Sequence, residues 1–261
     1  MIFPIDWQLP KFSINEFSPQ KSKYCICVFN LNEGEKFKQQ ITEMGTFDDI
    51  LDIIIADGGS ADDSINEDFL KQNQVNTLVI KTGDGGLSAQ MRMAFAFSLA
   101  RGYRGIITMD GNHKDNPNSI PHFYEALENG MDHIQGSRFI PGGKGINTPW
   151  TRNWAIRLIH APLISLASGF HYTDTTNGFR GYSARFLLDK NVAPFRNIFS
   201  TYELHYYLAI RAPRLGYRVI EVPVIRRYPA IGKIPTKISP IKGNLLLLKI
   251  LIRAVTGRYN P

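Results

Sequence analysis

The chain has 261 residues, 43% of them hydrophobic, and 30 Lys and Arg against 23 Asp and Glu give a formal charge of +7. That length and composition suit one large domain, or two small ones, with a substantial core. Two cysteines only, Cys25 and Cys27, and no run of about 18 apolar residues argue against a disulfide framework and a membrane-spanning helix.

Taken in order, residues 1–23 read as an irregular N-terminal arm with Pro4, Pro10 and Pro19. It lacks the charged start and apolar run of a signal peptide, so a cytoplasmic enzyme is expected. Tyr24–Leu31 is the first buried strand, and Cys25 and Cys27 point the same way within it as reduced core residues. A helix to about Met44 follows Asn32, Glu33 and Gly34. Leu51–Ala56 is a second strand, ending in Asp57-Gly58-Gly59-Ser60, and 62–72 is mostly helical. Val75–Ile80 is a third strand, and the glycine-rich loop after it opens a helix over 88–101. Repetition of strand, polar loop and helix predicts an α/β fold, a mostly parallel sheet with helices on both faces.

The fourth strand leads into the stretch around which the chain is organised, Ile106–Pro117. Apolar and β-branched residues give way to Asp110, Gly111, Asn112, His113, Lys114, Asp115 and Asn116 at the carboxyl end, where open α/β sheets bind ligands. Asp110 and Asn112 offer hard oxygens suited to a Mg²⁺ or Mn²⁺ ion carrying phosphates. Asn116 and Pro117 cap the next helix, to about Asn129, and His133–Gly136 is another strand. Beyond Arg138 the pattern loosens. Gly142, Gly143 and Gly145 mark a mobile loop, 150–168 a long helix with a wide apolar face, and 174–182 a polar segment before a helix to about Asn191. A helix over 202–212, a strand over 218–225 and a last helix over 244–255 complete the chain. From Arg211 onward eleven basic residues face one acid, Glu221, which predicts an anionic partner. No nucleic-acid recognition module is present, so nucleic acid is not expected.

Four segments occur in the order seen in family-2 glycosyltransferases: Asn32-Glu33, Asp57–Ser64, Met109–Asn112 and Gly136–Gly143. Within that family the chain most resembles polyprenyl- and dolichyl-phosphate mannosyl- or glucosyltransferases, whose "SGFR" segment is similar to 173–187 here. The resemblance spans roughly residues 24–228 and implies the A-type nucleotide-diphospho-sugar fold with inverting transfer. It divides one domain into a nucleotide-sugar half (24–135), an acceptor half (136–228), and a basic lid with a C-terminal helix (229–261).

For the donor, it implies contacts from Asn32, Glu33, Asp57, Gly59 and Ser60, with Gly85 and Gly86 cradling phosphate at a helix N-terminus and Arg92 one turn along. Asp110, Asn112, Lys114 and Asp174 are the expected catalytic groups. Lys114 stands where the subgroup tends to carry a neutral metal ligand, so the ion falls to Asp110, Asn112 and Asp115, or is partly replaced by Lys114. Arg138, Arg152 and Arg180 are the expected ligands of an acceptor phosphate. Asp174 is the base if the acceptor is instead a hydroxyl, and Arg180 has the alternative of pairing with Asp174. Arg227, Lys233 and Lys237 are the expected lid cations.

The leading expectation is transfer from a nucleotide-diphospho-sugar to a polyprenyl phosphate or other phosphorylated acceptor, at the inner membrane face. The alternatives are a saccharide or metabolite hydroxyl as acceptor, and a nucleotide-binding protein with a degenerate motif.

Overall fold

The strands YCICVFN, DIIIAD and GIITMD are apolar almost without alternation, as strands covered on both faces must be. In the computed structural model residues 2–230, 239 and 242–261 are described. The chain runs β1 (Phe12–Glu16), β2 (Tyr24–Asn30), α1 (Glu35–Met44), β3 (Asp52–Asp57), α2 (Glu67–Gln72), β4 (Val75–Lys81), α3 (Leu87–Arg101) and β5 (Gly105–Asp110). It continues through α4 (Ile120–Glu128), β6 (His133–Ser137), β7 (Lys144–Ile146), α5 (Trp150–Ala155), a π-helical stretch (Ile156–His160) and α6 (Ala161–Ser168). Then come β8 (Arg180–Ser183), α7 (Ala184–Leu187), α8 (Glu203–Arg214), β9 (Val219–Pro223), β10 (Ile225–Arg227) and α9 (Lys242–Val255).

Among the described residues, eight strands form one mixed sheet in the order β1-β4-β3-β2-β5-β8-β6-β9, and β7 pairs with β10 in a parallel ribbon. The pairs β4-β3, β3-β2, β2-β5 and β6-β9 are parallel; β1 and β8 run antiparallel to their neighbours. Alternate side chains feed two cores. Cys25, Cys27, Ile54 and Ala56 pack with α3, α8 and α9 residues such as Phe95, Leu208 and Leu251. Ile26, Val28, Ile55 and Met109 pack with α1 and α4 residues such as Phe37, Ile41 and Phe123. Both cysteine Sγ atoms lie within 3.5 Å of Ser98 Oγ, so they share one face as expected.

After β2 the chain builds outward through β3 and β4, then returns to lay β5 on the other side of β2. That reversal opens a crevice at the carboxyl ends of β2 and β5, which is where such sheets take ligands. Asp110 ends β5 at this point.

Several local expectations give way to tertiary pairing. Residues 12–16 of the arm form an antiparallel edge strand on β4, because FSINE alternates and its apolar side chains cover core residues. Residues 180–183 extend as β8 because β5 and β6 flank them. The helix expected over 62–72 begins only at Glu67, capped by Asn66, whose side chain accepts from Phe69 N at 2.9 Å. The glycine-marked loop at 142–145 contributes to the β7–β10 ribbon.

Arg180, expected to face an acceptor phosphate, is instead a strut inside the fold. Its guanidinium donates to the carbonyls of Asn177 at 2.9 Å, His205 at 2.6 Å and Thr175 at 2.7 Å, and the residue is almost fully buried. Arg180→Met should therefore lower unfolding free energy by about 3 kcal/mol or more, since hydrogen bonds to charged groups contribute about 1.5–3 kcal/mol each. Urea denaturation checks this; a loss under about 1 kcal/mol would remove Arg180 from the fold's supports.

Candidate active site

The turn after β5 is held from two sides. Gly111 N donates to Phe29 O at 2.8 Å, and a Cβ at Gly111 would stand 2.9 Å from that oxygen, so the close approach of β2 requires glycine. From α1, Gln40 Nε2 donates to Asp110 O at 2.9 Å while its Oε1 accepts from His113 N at 2.7 Å. Gln40 is fully buried and was not singled out in the sequence. Its only signal there is a polar residue on the apolar face of an amphipathic helix.

The opposite wall comes from much later in the chain. Gly178 backs onto the Asp110 carboxylate: a Cβ there would lie 2.7 Å from Oδ1. On β10, Arg226 sits between two carboxylates. Its guanidinium bonds Asp115 Oδ2, lies 3.4 Å from Asn177 Oδ1, and reaches Asp110 Oδ2 at 3.1 Å. Burial opposes the charge on Arg226, but Asp115 and Asp110 more than compensate and raise its pKa. Burial also pushes the Asp110 carboxyl up, yet Arg226 foremost, with Lys114 adding to it, holds it below the usual range. Main-chain bonds fix the register: Arg227 N donates to Lys114 O at 2.7 Å and Asn116 N to Ile225 O at 2.9 Å.

Lys114 is 8% exposed, with Nζ 5.7 Å from the centroid of the Tyr228 ring. Burial and then Arg226 push its pKa down, against the pull of Asp110, Tyr228 and Glu33. Tyr228 is itself enclosed by cations: Arg152 Nη1 donates to its hydroxyl at 3.1 Å, and the ring lies under the guanidinium groups of Arg152 and Arg226. Burial pushes the Tyr228 phenol up, but Arg226, Arg152 and Arg138 outweigh it and bring it below its ordinary value. A phenol whose ionisation is made easier despite burial marks a place where negative charge is favoured. Tyr228 was not among the residues singled out in the sequence.

Other expected site residues are engaged elsewhere. Arg138 is buried and clasps Asp174 bidentately, Nε to Oδ2 at 2.6 Å and Nη2 to Oδ1 at 2.9 Å. Asp174 is fully buried, and burial raises its pKa while Arg138 more than offsets this and lowers it. An ion-paired, enclosed carboxylate is a brace and not a base for a hydroxyl. Glu221 holds the same loop by accepting from Thr173 N and Asp174 N at 2.9 and 3.0 Å.

On the donor side, Asp57 is taken up by its own loop: it accepts from Asn30 Nδ2, Gly59 N, Ser60 N and Ser60 Oγ, all within 2.9 Å. It lies on the far side of β2 from Asp110, opposite Asn30, so the two are not on adjacent strands. Asn32 braces that loop too, accepting from Ala61 N at 2.8 Å. The N–H groups of Gly86, Ser88 and Ala89 donate to the carbonyls of Ser200 and Thr201, so the 85–86 turn is not an open phosphate cradle. Arg92 is buried, bonding Phe199 O at 3.0 Å and Gln8 O, and points away from a donor.

The expected metal ligands do not converge either. Asp115 is turned to Arg226 and Asn177, and Asn112 folds back with its Oδ1 3.3 Å from Lys114 N. Among the described residues no three His, Cys, Asp or Glu side chains are grouped to hold a metal. A divalent cation needs several oxygens and net negative charge, and Asp110 already faces Arg226 and Lys114. Arg227 is exposed at the site's edge, whereas Lys233 and Lys237 lie outside the described residues.

The model of the family described as Glycosyl transferase family 2 matches residues 25–190. The chain is 32% identical over 179 residues to the undecaprenyl-phosphate mannosyltransferase of Micrococcus luteus, covering 66% of this chain and 70% of that one. It is 28% identical over 212 residues to the polyprenol monophosphomannose synthase of Mycolicibacterium smegmatis, covering 80% and 78%. In fold it is similar to glucosyl-3-phosphoglycerate synthase from Mycobacterium tuberculosis, solved with Mn²⁺, uridine diphosphate and glucosyl-3-phosphoglycerate: TM-score 0.61, 15% identity, 89% of this chain and 77% of that one. The same enzyme has been solved with Mg²⁺ and uridine diphosphate.

The Arg138–Asp174 pair generates a pH signature. Because the folded-state pKa of Asp174 is lowered, its contribution is fully present above the unfolded value of about 3.9 and is lost as pH falls through the folded value. Asp174→Asn should cost about 3–5 kcal/mol at neutral pH, the usual cost of stranding one partner of a buried pair. Denaturation from pH 7 down to the acid limit of the fold should show this gap narrowing below about pH 4. A gap that does not change with pH would contradict the pairing.

Proposed function

The chain belongs to glycosyl transferase family 2, and on that premise we propose that this glycosyltransferase moves a sugar, with inversion, from a nucleotide-diphospho-sugar to a polyprenyl phosphate. The observation that carries the acceptor is the cationic pocket around the Tyr228 hydroxyl and its attachment to an apolar surface. Arg152, which bonds that hydroxyl, belongs to the helix whose neighbouring residues Trp150 and Trp154 are 74% and 58% exposed. A lipid phosphate needs such a pairing: a guanidinium fork for its head and apolar surface for its tail.

The same helical run exposes Leu158, Ile159 and Leu166, and α9, which packs on α6, exposes Leu245, Leu246, Leu248 and Ile252 beside Lys249 and Arg253. Exposed apolar area on this scale, edged by basic residues, suits a helix pair lying in a membrane interface. Among the described residues no helix is long and apolar enough to cross a membrane. In this reading residues 24–135 receive the donor, 136–228 the acceptor, and Glu33 and Asp110 line the donor side.

A phosphate acceptor also suits the chemistry. One of its oxygens, already anionic, attacks the anomeric carbon as the bond to the nucleoside diphosphate breaks on the opposite face. No proton has to be removed, so no strong base is required. The hydroxyl-acceptor alternative has weaker support, because Asp174, its expected base, is locked to Arg138.

Two outcomes test this reading. Arg152→Ala should raise the KM for a short-chain polyprenyl phosphate about tenfold or more, as loss of a charge-assisted hydrogen bond implies, with the donor KM unchanged. In sedimentation, the chain should pellet with vesicles containing anionic lipid and much less with neutral ones, each basic residue near the surface adding about 1 kcal/mol. Full activity on a soluble hydroxyl acceptor without vesicle binding would overturn the proposal.

A further inference from the structure

The metal question has an answer in the chain's own side chains. We infer that Arg226 and Lys114, and not a divalent cation held by aspartates, supply the positive charge that faces the donor diphosphate at Asp110. This rests on the transferase reading above and concerns how its leaving group is stabilised.

Cationic side chains already occupy the place a metal ion would take. Asp110 Oδ2 lies 3.1 Å from the Arg226 guanidinium and 3.4 Å from Asn112 Nδ2, while Oδ1 is backed by Gly178. A divalent ion on this carboxylate would therefore stand beside a guanidinium, and like charges at such range repel strongly in a partly buried site. Arg226 is not positioned to leave. Its other nitrogen bonds Asp115, whose side chain is fully buried, and β10 is stitched to 114–116 through Arg227 N and Ile225 O. Removing the guanidinium would strand Asp115 without its counter-ion.

Local charge points the same way. Asp110 and Asp115 face Arg226 and Lys114, Asp174 faces Arg138, and with Glu33 set against Arg152 the acids and bases here are even in number, not in excess of negative charge as a divalent cation needs. His205 adds none, since burial and then Arg180 push its pKa down to about 3. Around the Tyr228 hydroxyl the local field is positive, as its eased ionisation under Arg226, Arg152 and Arg138 reports, and Arg152 bonds it directly. Lys114 fits the role by position. It lies four residues after Asp110, is mostly buried, and senses Asp110, Tyr228 and Glu33 together. A lysine binds phosphate as a point charge and does not ligate a cation while protonated.

The test is nucleoside diphosphate binding by the full chain, measured by titration calorimetry with uridine and guanosine diphosphates in EDTA and, separately, in Mn²⁺. The wild-type dissociation constant for whichever nucleotide binds should differ between the two arms by less than about tenfold. A difference of tenfold or more in favour of Mn²⁺ would overturn the inference. Lys114→Gln should weaken binding in EDTA by about tenfold or more, the scale of a lost charge-assisted contact, with Mn²⁺ restoring part of it. Unchanged affinity of that variant in EDTA would also overturn it. The double variant Asp115→Asn/Arg226→Gln keeps the buried charge balanced while freeing Asp110. If it folds, as its thermal midpoint will tell, Mn²⁺ should tighten its binding at least about tenfold; an unaltered metal response would count against the inference. Lys114→Gln keeps the backbone bond from Arg227 N and removes one buried charge; with its own thermal midpoint recorded beside its affinity, it remains decisive if the double variant does not fold. Failure of either nucleotide to bind in both arms would remove the transferase reading itself, and the inference with it.

Discussion

The site depends on one buried ion-pair arrangement, in which the Arg226 guanidinium is held between Asp115 and Asp110. Asp115 and Arg226 are both largely withdrawn from solvent, so neither tolerates loss of the other, and breaking such a pair by removing one member costs about 3–5 kcal/mol. The consequence is geometric as much as energetic. Strand β10 is drawn against the turn that follows β5, and with it come Tyr228, the β7 ribbon and the approach to Arg152. A carboxylate-rich turn at a sheet's switch point would otherwise be a cation site. The arginine fills that place with a positive charge already paired to both carboxylates.

Five arginines of the chain's two halves, Arg92, Arg138, Arg152, Arg180 and Arg226, fall into two groups by what their donors meet. Arg92 and Arg180 meet backbone carbonyls of loops and, in Arg180's case, of His205 in α8, and Arg138 meets a buried carboxylate. These three stabilise loops around the site. Arg152 and Arg226 instead gather around Tyr228, Arg152 at its hydroxyl and both over its ring. Net charge therefore predicts an anionic partner for the chain but not which cations touch it, since a guanidinium serves a carbonyl and a phosphate equally well.

Glycine at Gly178 illustrates how the two halves are fitted. Nothing in its own loop demands glycine by way of a positive φ. The demand comes from Asp110, whose carboxylate occupies the space a Cβ would fill. Gly111 is constrained similarly by Phe29 O across the β2–β5 pair. The turn after β5 is thus bounded by two glycines distant in sequence, one closed in by a backbone oxygen and the other by a carboxylate.

The sequence by itself determined the sheet's parallel half, the polar turn at Asp110 at the carboxyl end of a central strand, the Asn116–Pro117 cap and the shared face of Cys25 and Cys27. All of these follow from interactions within a few residues: periodicity, turn chemistry and caps are written locally. The order of four short motifs added the family. Tertiary structure alone decided that the arm supplies an edge strand, that 180–183 extends between β5 and β6, and that Asp57, Arg92, Arg138, Asp174 and Arg180 brace the fold. It also decided that Gln40, Gly178, Arg226 and Tyr228 surround Asp110. Arg226 reaches Asp110 from 116 residues away, and which carboxylate a given arginine reaches depends on strand order and register. Side-chain type sets what a residue is able to bind; only the packed sheet sets what lies within reach.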